Sequence, residues 1–259
     1  MLTQSQNRCS KLSPVIAAAA LFSVGTLANV SMAHADMLIN MNFYHSTSNY
    51  TATAPTGTSG AIVSGAMHWN NLGETSGGLS GSDLKDTNGN ATTIGLSGSG
   101  LATGYHASTT TGVNAMLYGY PSAQLASSSP SVVTLTGLDA AGATTYNLYV
   151  YNWWNYSGQT ATTSITEAGG TLPAAETNTY TGSTATEGNT FTRGVNYVLF
   201  TGLKANASGD IQVSAYGTGA LFNGLQLDVI SVPESSSLGL LGLGGAVVLL
   251  VGRKHKSRS

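Results

Sequence analysis

Between residues 36 and 230 the chain keeps no helical period, while short apolar alternations recur between turns rich in Gly, Asn, Ser and Thr. A period of two, punctuated this regularly, is the pattern of a sandwich, so the region is predicted to be a single all-β domain. Strands are expected over Leu38–Tyr44, Ala66–Asn70, Thr92–Ser97, Ala115–Tyr118, Val132–Leu135, Thr145–Tyr151, Asn196–Thr201, Ile211–Tyr216 and Leu221–Ile230. In the clearest of them Tyr146, Leu148 and Val150 share a core face, and Asn147, Tyr149 and Tyr151 share an aromatic-polar one. Ile211, Val213 and Ala215 alternate in the same way. Gly224 interrupts the last run, where a bulge or a close backbone approach is expected. Residues 46–61 and 155–192, mostly Thr, Ser, Gly and Ala, read as long mobile loops. Two segments, Val133–Ala140 and Val198–Ala205, each carry a strand into Thr-Gly-Leu. Their flanks differ, so they read as one strand-to-turn solution used twice, with glycine supplying a positive φ, and not as an internal duplication.

Charge narrows the partners. Residues 36–230 hold three basic side chains, Lys85, Arg193 and Lys204, against ten acidic ones, a net charge of −7. The whole-chain value of −2 hides this, because the remaining basic residues lie in the two ends. A domain without a basic patch is a poor match for nucleic acid or an anionic membrane surface, and a neutral or cation-bridged partner fits better. Cys9 is the only cysteine and lies in the N-terminal segment, so the domain carries no disulfide. A chain of roughly 200 residues buries about 70% of its surface and can fold without one.

Both ends look like targeting segments. Arg8 and Lys11 precede a short apolar run, Val15 to Val24, and Ala33-His34-Ala35 before Asp36 forms an A-x-A cleavage site. That order is a Sec signal peptide over residues 1–35, with the Sec translocon and signal peptidase as partners. At the other end Val232-Pro233-Glu234-Ser235 is followed by an apolar stretch from Leu238 to Val251 and then by Arg253, Lys254, Lys256 and Arg258. Fourteen residues make a helix of about 21 Å, and extending to Ser235 and Gly252 brings it to about 27 Å, against a hydrocarbon core of roughly 30 Å. The basic flank would stay cytoplasmic and leave the preceding chain outside. Glycines 239, 242, 244 and 245 weaken the helix, which suits a segment meant to be removed better than a permanent anchor, the ordinary alternative.

These three parts, in this order, resemble the PEP-CTERM sorting tail of exported proteins of Gram-negative bacteria. The resemblance implies processing by exosortase, with motif 232–235, transmembrane segment 236–252 and basic tail 253–259. The family motif continues with a second proline where this chain has Ser235. It implies transient residence in the inner membrane and then a place on the cell surface or outside the cell. A second resemblance rests on Leu38–Phe43, His68–Asn71, Tyr146–Tyr151 and Phe222–Leu227: the domain is similar to jelly-roll sandwiches of the galactose-binding or malectin-like kind. A fold analogy does not fix a function.

Catalytic chemistry finds little support. His45, His68 and His106 show no metal-ligand spacing, no G-x-S-x-G elbow or phosphate-binding glycine loop occurs, and the acids sit mostly in polar turns. No catalytic or metal-ligating residue is assigned, and the protein is not expected to be an enzyme. Two segments could bind. Trp153, Trp154 and Tyr156, with Asn155 between them, follow a strand and could stack on sugar rings, or else cap the open end of the core. Asp83, Asp86 and Asn88 offer oxygen ligands of the kind Ca²⁺ takes, but Asn88-Gly89 is also a strong hairpin-turn signal. The expected function is that of a non-catalytic, exosortase-sorted surface or matrix protein contacting exopolysaccharide. A structural or glycosylated envelope coat protein without a small ligand is the alternative, and a carbohydrate-active enzyme ranks behind both.

Overall fold

The structure, a computed structural model, describes residues 37–45, 55, 59–62, 67–74, 78–99, 101–102, 117, 122–123, 130–153, 157–180 and 190–231. The strands are β1 (Met37–His45), β2 (Trp69–Glu74), β3 (Leu79–Gly81), β4 (Gly95–Ser99), β5 (Leu101–Ala102), β6 (Ser122–Ala123), β7 (Ser131–Thr136), β8 (Thr144–Tyr151), β9 (Thr160–Glu167), β10 (Glu176–Thr179), β11 (Tyr197–Leu203), β12 (Ile211–Tyr216) and β13 (Gly224–Ser231). One sheet has the order β11-β8-β13-β1-β2, the other β10-β9-β12-β7-β4-β3, and β5 pairs with β6 apart from them. Among the described strands the pairings are antiparallel except that of β1 with β2.

The inner faces supply one core. Ile39, Met41, Phe43, Leu148, Val150, Val198, Phe200, Leu225 and Leu227 come from the first sheet. They share a single apolar cluster with Leu96, Val133, Leu135, Ala161, Ile165, Ile211, Val213 and Ala215 from the second, so the fold is an all-β sandwich. Full burial of each larger side chain contributes roughly 1.5–3 kcal/mol. The predicted faces of β8 and β12 hold: Tyr146, Leu148 and Val150 are buried, as are Ile211, Val213 and Ala215.

Strand pairing is nested. β1 pairs with β13, β7 with β12, β8 with β11 and β9 with β10, and from β7 onward every connection except β9 to β10 passes from one sheet to the other. Both Thr-Gly-Leu glycines take the expected positive φ, 71° at Gly137 and 66° at Gly202, but only Gly137 follows the end of its strand; Gly202 lies within β11, at an irregularity of its pairing with β8.

Other expectations are corrected. Residues 155–192 are not one long loop, because β9 and β10 lie within them. Ala161, Thr163 and Ile165 point inward from β9 and Asn178 from β10, so the alternation exists but is carried by small and polar side chains. Gly224 makes no bulge. It opens β13, whose register against β8 runs unbroken to Ser231. Irregularities fall instead between Phe200 and Leu203 and between Gln212 and Val213. The predicted strand at Ala115–Tyr118 lies outside the described residues except for Leu117, which is helical and buried. Residues 1–36 and 232–259, with the expected signal and sorting segments, also lie outside them, as does most of 46–61.

The outward faces differ sharply. On the second sheet the outward positions are almost all hydroxyls: Ser97 and Ser99 on β4, Thr134 and Thr136 on β7, Thr162, Ser164 and Thr166 on β9, and Thr177 and Thr179 on β10. Cross-strand bonds knit them, with Thr162 and Thr177 hydroxyls 3.0 Å apart and Gln212 bridging Thr166 (2.9 Å) to Thr134 (3.4 Å). The first sheet instead turns Tyr149, Tyr151, Tyr197, Asn40, Asn42 and Gln226 outward.

Candidate functional site

The aromatic segment begins where β8 ends, and buried asparagines fix its course. Asn152 is fully buried. Its Nδ2 donates to the Leu221 carbonyl, its Oδ1 accepts from the Thr163 hydroxyl at 3.0 Å, and its own carbonyl accepts from Asn178 Nδ2 at 3.3 Å. One side chain and its backbone thus tie β8 to β9, to β10 and to the turn before β13. Asn223 does the same beside it: its Oδ1 accepts from the Trp153 amide at 2.6 Å and its Nδ2 donates to the Leu117 carbonyl at 2.8 Å.

This clamp carries Trp153 inward. The indole is 1% exposed and lies among the largest buried side chains with Phe222 and Tyr180, so Trp153 takes the core-capping role and has no face free for a sugar. Trp154, Asn155 and Tyr156 lie outside the described residues. The residues expected to direct sorting, Val232, Pro233 and Glu234 with the basic Arg253, Lys254, Lys256 and Arg258, and those expected at the cleavage site, Ala33, Ala35 and Asp36, also lie outside them.

Around Asp83, Asp86 and Asn88 the chain forms the turn that Asn88-Gly89 predicts. Gly89 has φ 85° and its amide donates to the Asp86 carbonyl at 2.9 Å. Asp86 Oδ1 accepts from the amides of Asn88 (2.9 Å) and Asn90 (2.8 Å), and Oδ2 accepts from Asn90 Nδ2 at 3.0 Å. These bonds, the Asn90 side chain foremost, hold the Asp86 carboxyl below its ordinary range. Asp83 stands at φ 51° and is exposed. Among the described residues no three His, Cys, Asp or Glu side chains gather as metal ligands.

Sequence reasoning missed what the outward face of the first sheet brings together. Tyr151 is fully buried there; its hydroxyl donates to Gln226 Oε1 and accepts from the Ala61 amide at 2.6 Å. Gln226 Nε2 donates to Asn40 Oδ1 at 2.7 Å and to the Ile62 carbonyl at 3.0 Å, while the Ile62 amide returns a bond of 3.1 Å to Gln226 Oε1. Residues 59–62 are therefore strapped over this part of the sheet. Gly60 is required in the strap, since it has φ 108° and a Cβ would sit 2.6 Å from the Gln226 amide. Burial pushes the Tyr151 phenol well above its usual range. On the same face Trp69 Nε1 and Asn42 Oδ1 are buried without a hydrogen-bond partner among the described residues.

Beyond the strap the face is less deeply buried. Tyr149 and Tyr197 are partly exposed, with ring centroids 5.9 Å apart and planes tilted by 38°. Tyr151 backs Tyr197 at 5.8 Å, and Phe191 meets Tyr151 edge-on at 5.3 Å. Asn147 Nδ2 donates to Asp228 Oδ2 at 3.1 Å and its Oδ1 accepts from the Gly202 amide at 3.1 Å. Arg193 is paired with Glu176 and donates to the Leu199 carbonyl at 3.2 Å. Burial and then the charge of Asp228 raise the Tyr149 phenol, so it remains a protonated donor. Such a surface can hold a ligand by stacking and hydrogen bonding. The period-two pattern puts Tyr149 on this face, but nothing in the sequence places Tyr197 beside it.

No protein-family model matches the chain, and neither a curated protein nor a solved structure matches it significantly.

Proposed function

We propose that the protein is a non-catalytic exported jelly-roll domain, sorted at the cell envelope by its C-terminal tail and contacting exopolysaccharide. The order of the tail carries the sorting half: Val232-Pro233-Glu234, then an apolar segment, then four basic residues, beginning directly after the last strand. Nested strand pairing supports the jelly-roll, in which a long hairpin is rolled so that first meets last and second meets seventh. The acidic balance of residues 36–230 and the partly exposed tyrosines favour a neutral saccharide over a polyanion.

Replacing Pro233 and Glu234 with Ala tests the sorting half. A tail-retaining form should accumulate in the inner membrane, and ordinary processing of that variant would refute the address. Retention of protein purified from the cell envelope on the producer's own exopolysaccharide tests the other half, and its absence would refute it. The hydroxyl-lined face of the second sheet favours a second reading, an O-glycosylated coat. Intact-mass spectra with hexose-spaced satellites would support the coat, and a single unmodified species would count against it.

A further inference from the structure

We propose that the outward patch formed by Tyr149 on β8 and Tyr197 on β11, bordered by Asn147 and Asp228, is the platform on which a neutral polysaccharide lies. This deepens, and rests on, the exopolysaccharide reading above, and it moves the contact away from the aromatic segment that follows β8.

The two rings stand on hydrogen-bonded neighbours, strands spaced about 4.8 Å apart, so the sheet itself sets their separation. Tyr197 lies opposite Tyr151, and Tyr149 is its diagonal neighbour, the placement in which long aromatic side chains still meet. Neither ring can collapse inward, because the fully buried Tyr151, locked to Gln226 and Ala61, fills the space beside them. The platform is therefore preorganised, which lowers the entropy cost of binding.

The polar border selects the ligand. Asn147 spends its Nδ2 on Asp228 and its Oδ1 on the Gly202 amide, which leaves the other Asp228 oxygen as an acceptor. The tyrosine hydroxyls can donate or accept. Arg193, bridged to Tyr197 through the backbone, is held by Glu176 and so offers little to a polyanion. Apolar ring faces beside hydroxyls and a carboxylate match the alternating apolar faces and hydroxyl rims of an uncharged sugar ring. A uronate or sulfated chain would meet Asp228 and a domain of net charge −7.

Affinity electrophoresis of the protein from the envelope tests this, in gels containing a neutral galactomannan, a neutral β-glucan, alginate or the producer's exopolysaccharide. Wild type should be retarded by at least one neutral polymer and not by alginate. Tyr149→Ala with Tyr197→Ala should weaken the interaction by about tenfold or more. Because both rings also pack on the core, Asp228→Asn is the second variant; it keeps the size, removes the charge and turns one acceptor oxygen into an amide donor, and should weaken binding severalfold with an unchanged circular dichroism spectrum. Retardation that survives both variants but is lost when Trp154 and Tyr156 become Ala would overturn this placement and leave the exopolysaccharide function standing. Absence of retardation in wild type would remove both. So would a tyrosine variant that converts a dimer to a monomer in sedimentation while no polymer retards wild type, since the patch would then be a contact between copies.

Discussion

The two Thr-Gly-Leu segments provide an internally controlled test of backbone strain. Gly137 and Gly202 occupy the same left-handed conformation, yet their surroundings differ. A Cβ at Gly202 would meet nothing within 4 Å, whereas a Cβ at Gly137 would come well inside 3.0 Å of the Thr93 carbonyl oxygen, a backbone atom. Alanine at either position pays the left-handed penalty of roughly 1–2 kcal/mol, offset by about 0.4–1 kcal/mol from the stiffer unfolded chain. Gly202→Ala should therefore cost about 1 kcal/mol. Gly137→Ala must also push back the segment leading into β4, an overpacking cost of about 1–3 kcal/mol, for a total of about 2–4 kcal/mol. For a domain of this size each kcal/mol moves Tm by about 2–4 °C, so the expected losses are about 2–4 °C and about 4–16 °C. Thermal and urea unfolding followed by circular dichroism would read both. Equal losses would show that the Thr93 contact does not constrain the turn.

Asn152→Ala would strand the buried Thr163 hydroxyl and Leu221 carbonyl, and should cost about 2–4 kcal/mol in urea unfolding; a loss below about 0.5 kcal/mol would mean the clamp does not hold the end of the sandwich. Asp139 accepts from the amides of Ala141 (2.9 Å) and Thr144 (2.8 Å), and the Thr144 amide foremost lowers its carboxyl below 3.8. Its contribution is thus complete above pH 3.8 and is lost as pH falls through the lowered folded value. Asp139→Asn should flatten that part of the acid-stability curve, and an unchanged curve would refute the assignment.

How legible the fold was depended on what faced the core. β8 and β12 alternate large apolar residues with polar ones, and their faces follow directly from the period. β9 presents Ala161, Thr163 and Ile165 inward, and β10 presents Asn178, so the same geometry left almost no hydrophobic signal. Buried asparagines were the other blind spot. Asn152, Asn178 and Asn223 are residues that local chemistry assigns to turns, and only the tertiary bonds of a closed sandwich end explain their burial. Trp153 and Trp154 read alike until the clamp turned the first inward. The Tyr149–Tyr197 patch depends on β8 pairing with β11, a non-local event that no short motif encodes.

β13 gives this sandwich a mechanical character. It lies between β8 and β1, is antiparallel to both, and ends at Ser231, the residue before the proposed sorting motif. Ladder bonds run across a strand, so a pull on the C-terminus along β13 loads them in shear and must break many at once instead of peeling them singly. A protein tethered by that end would bear drag on the strand of its first sheet best placed to resist it, and its outward faces would keep their shape under load.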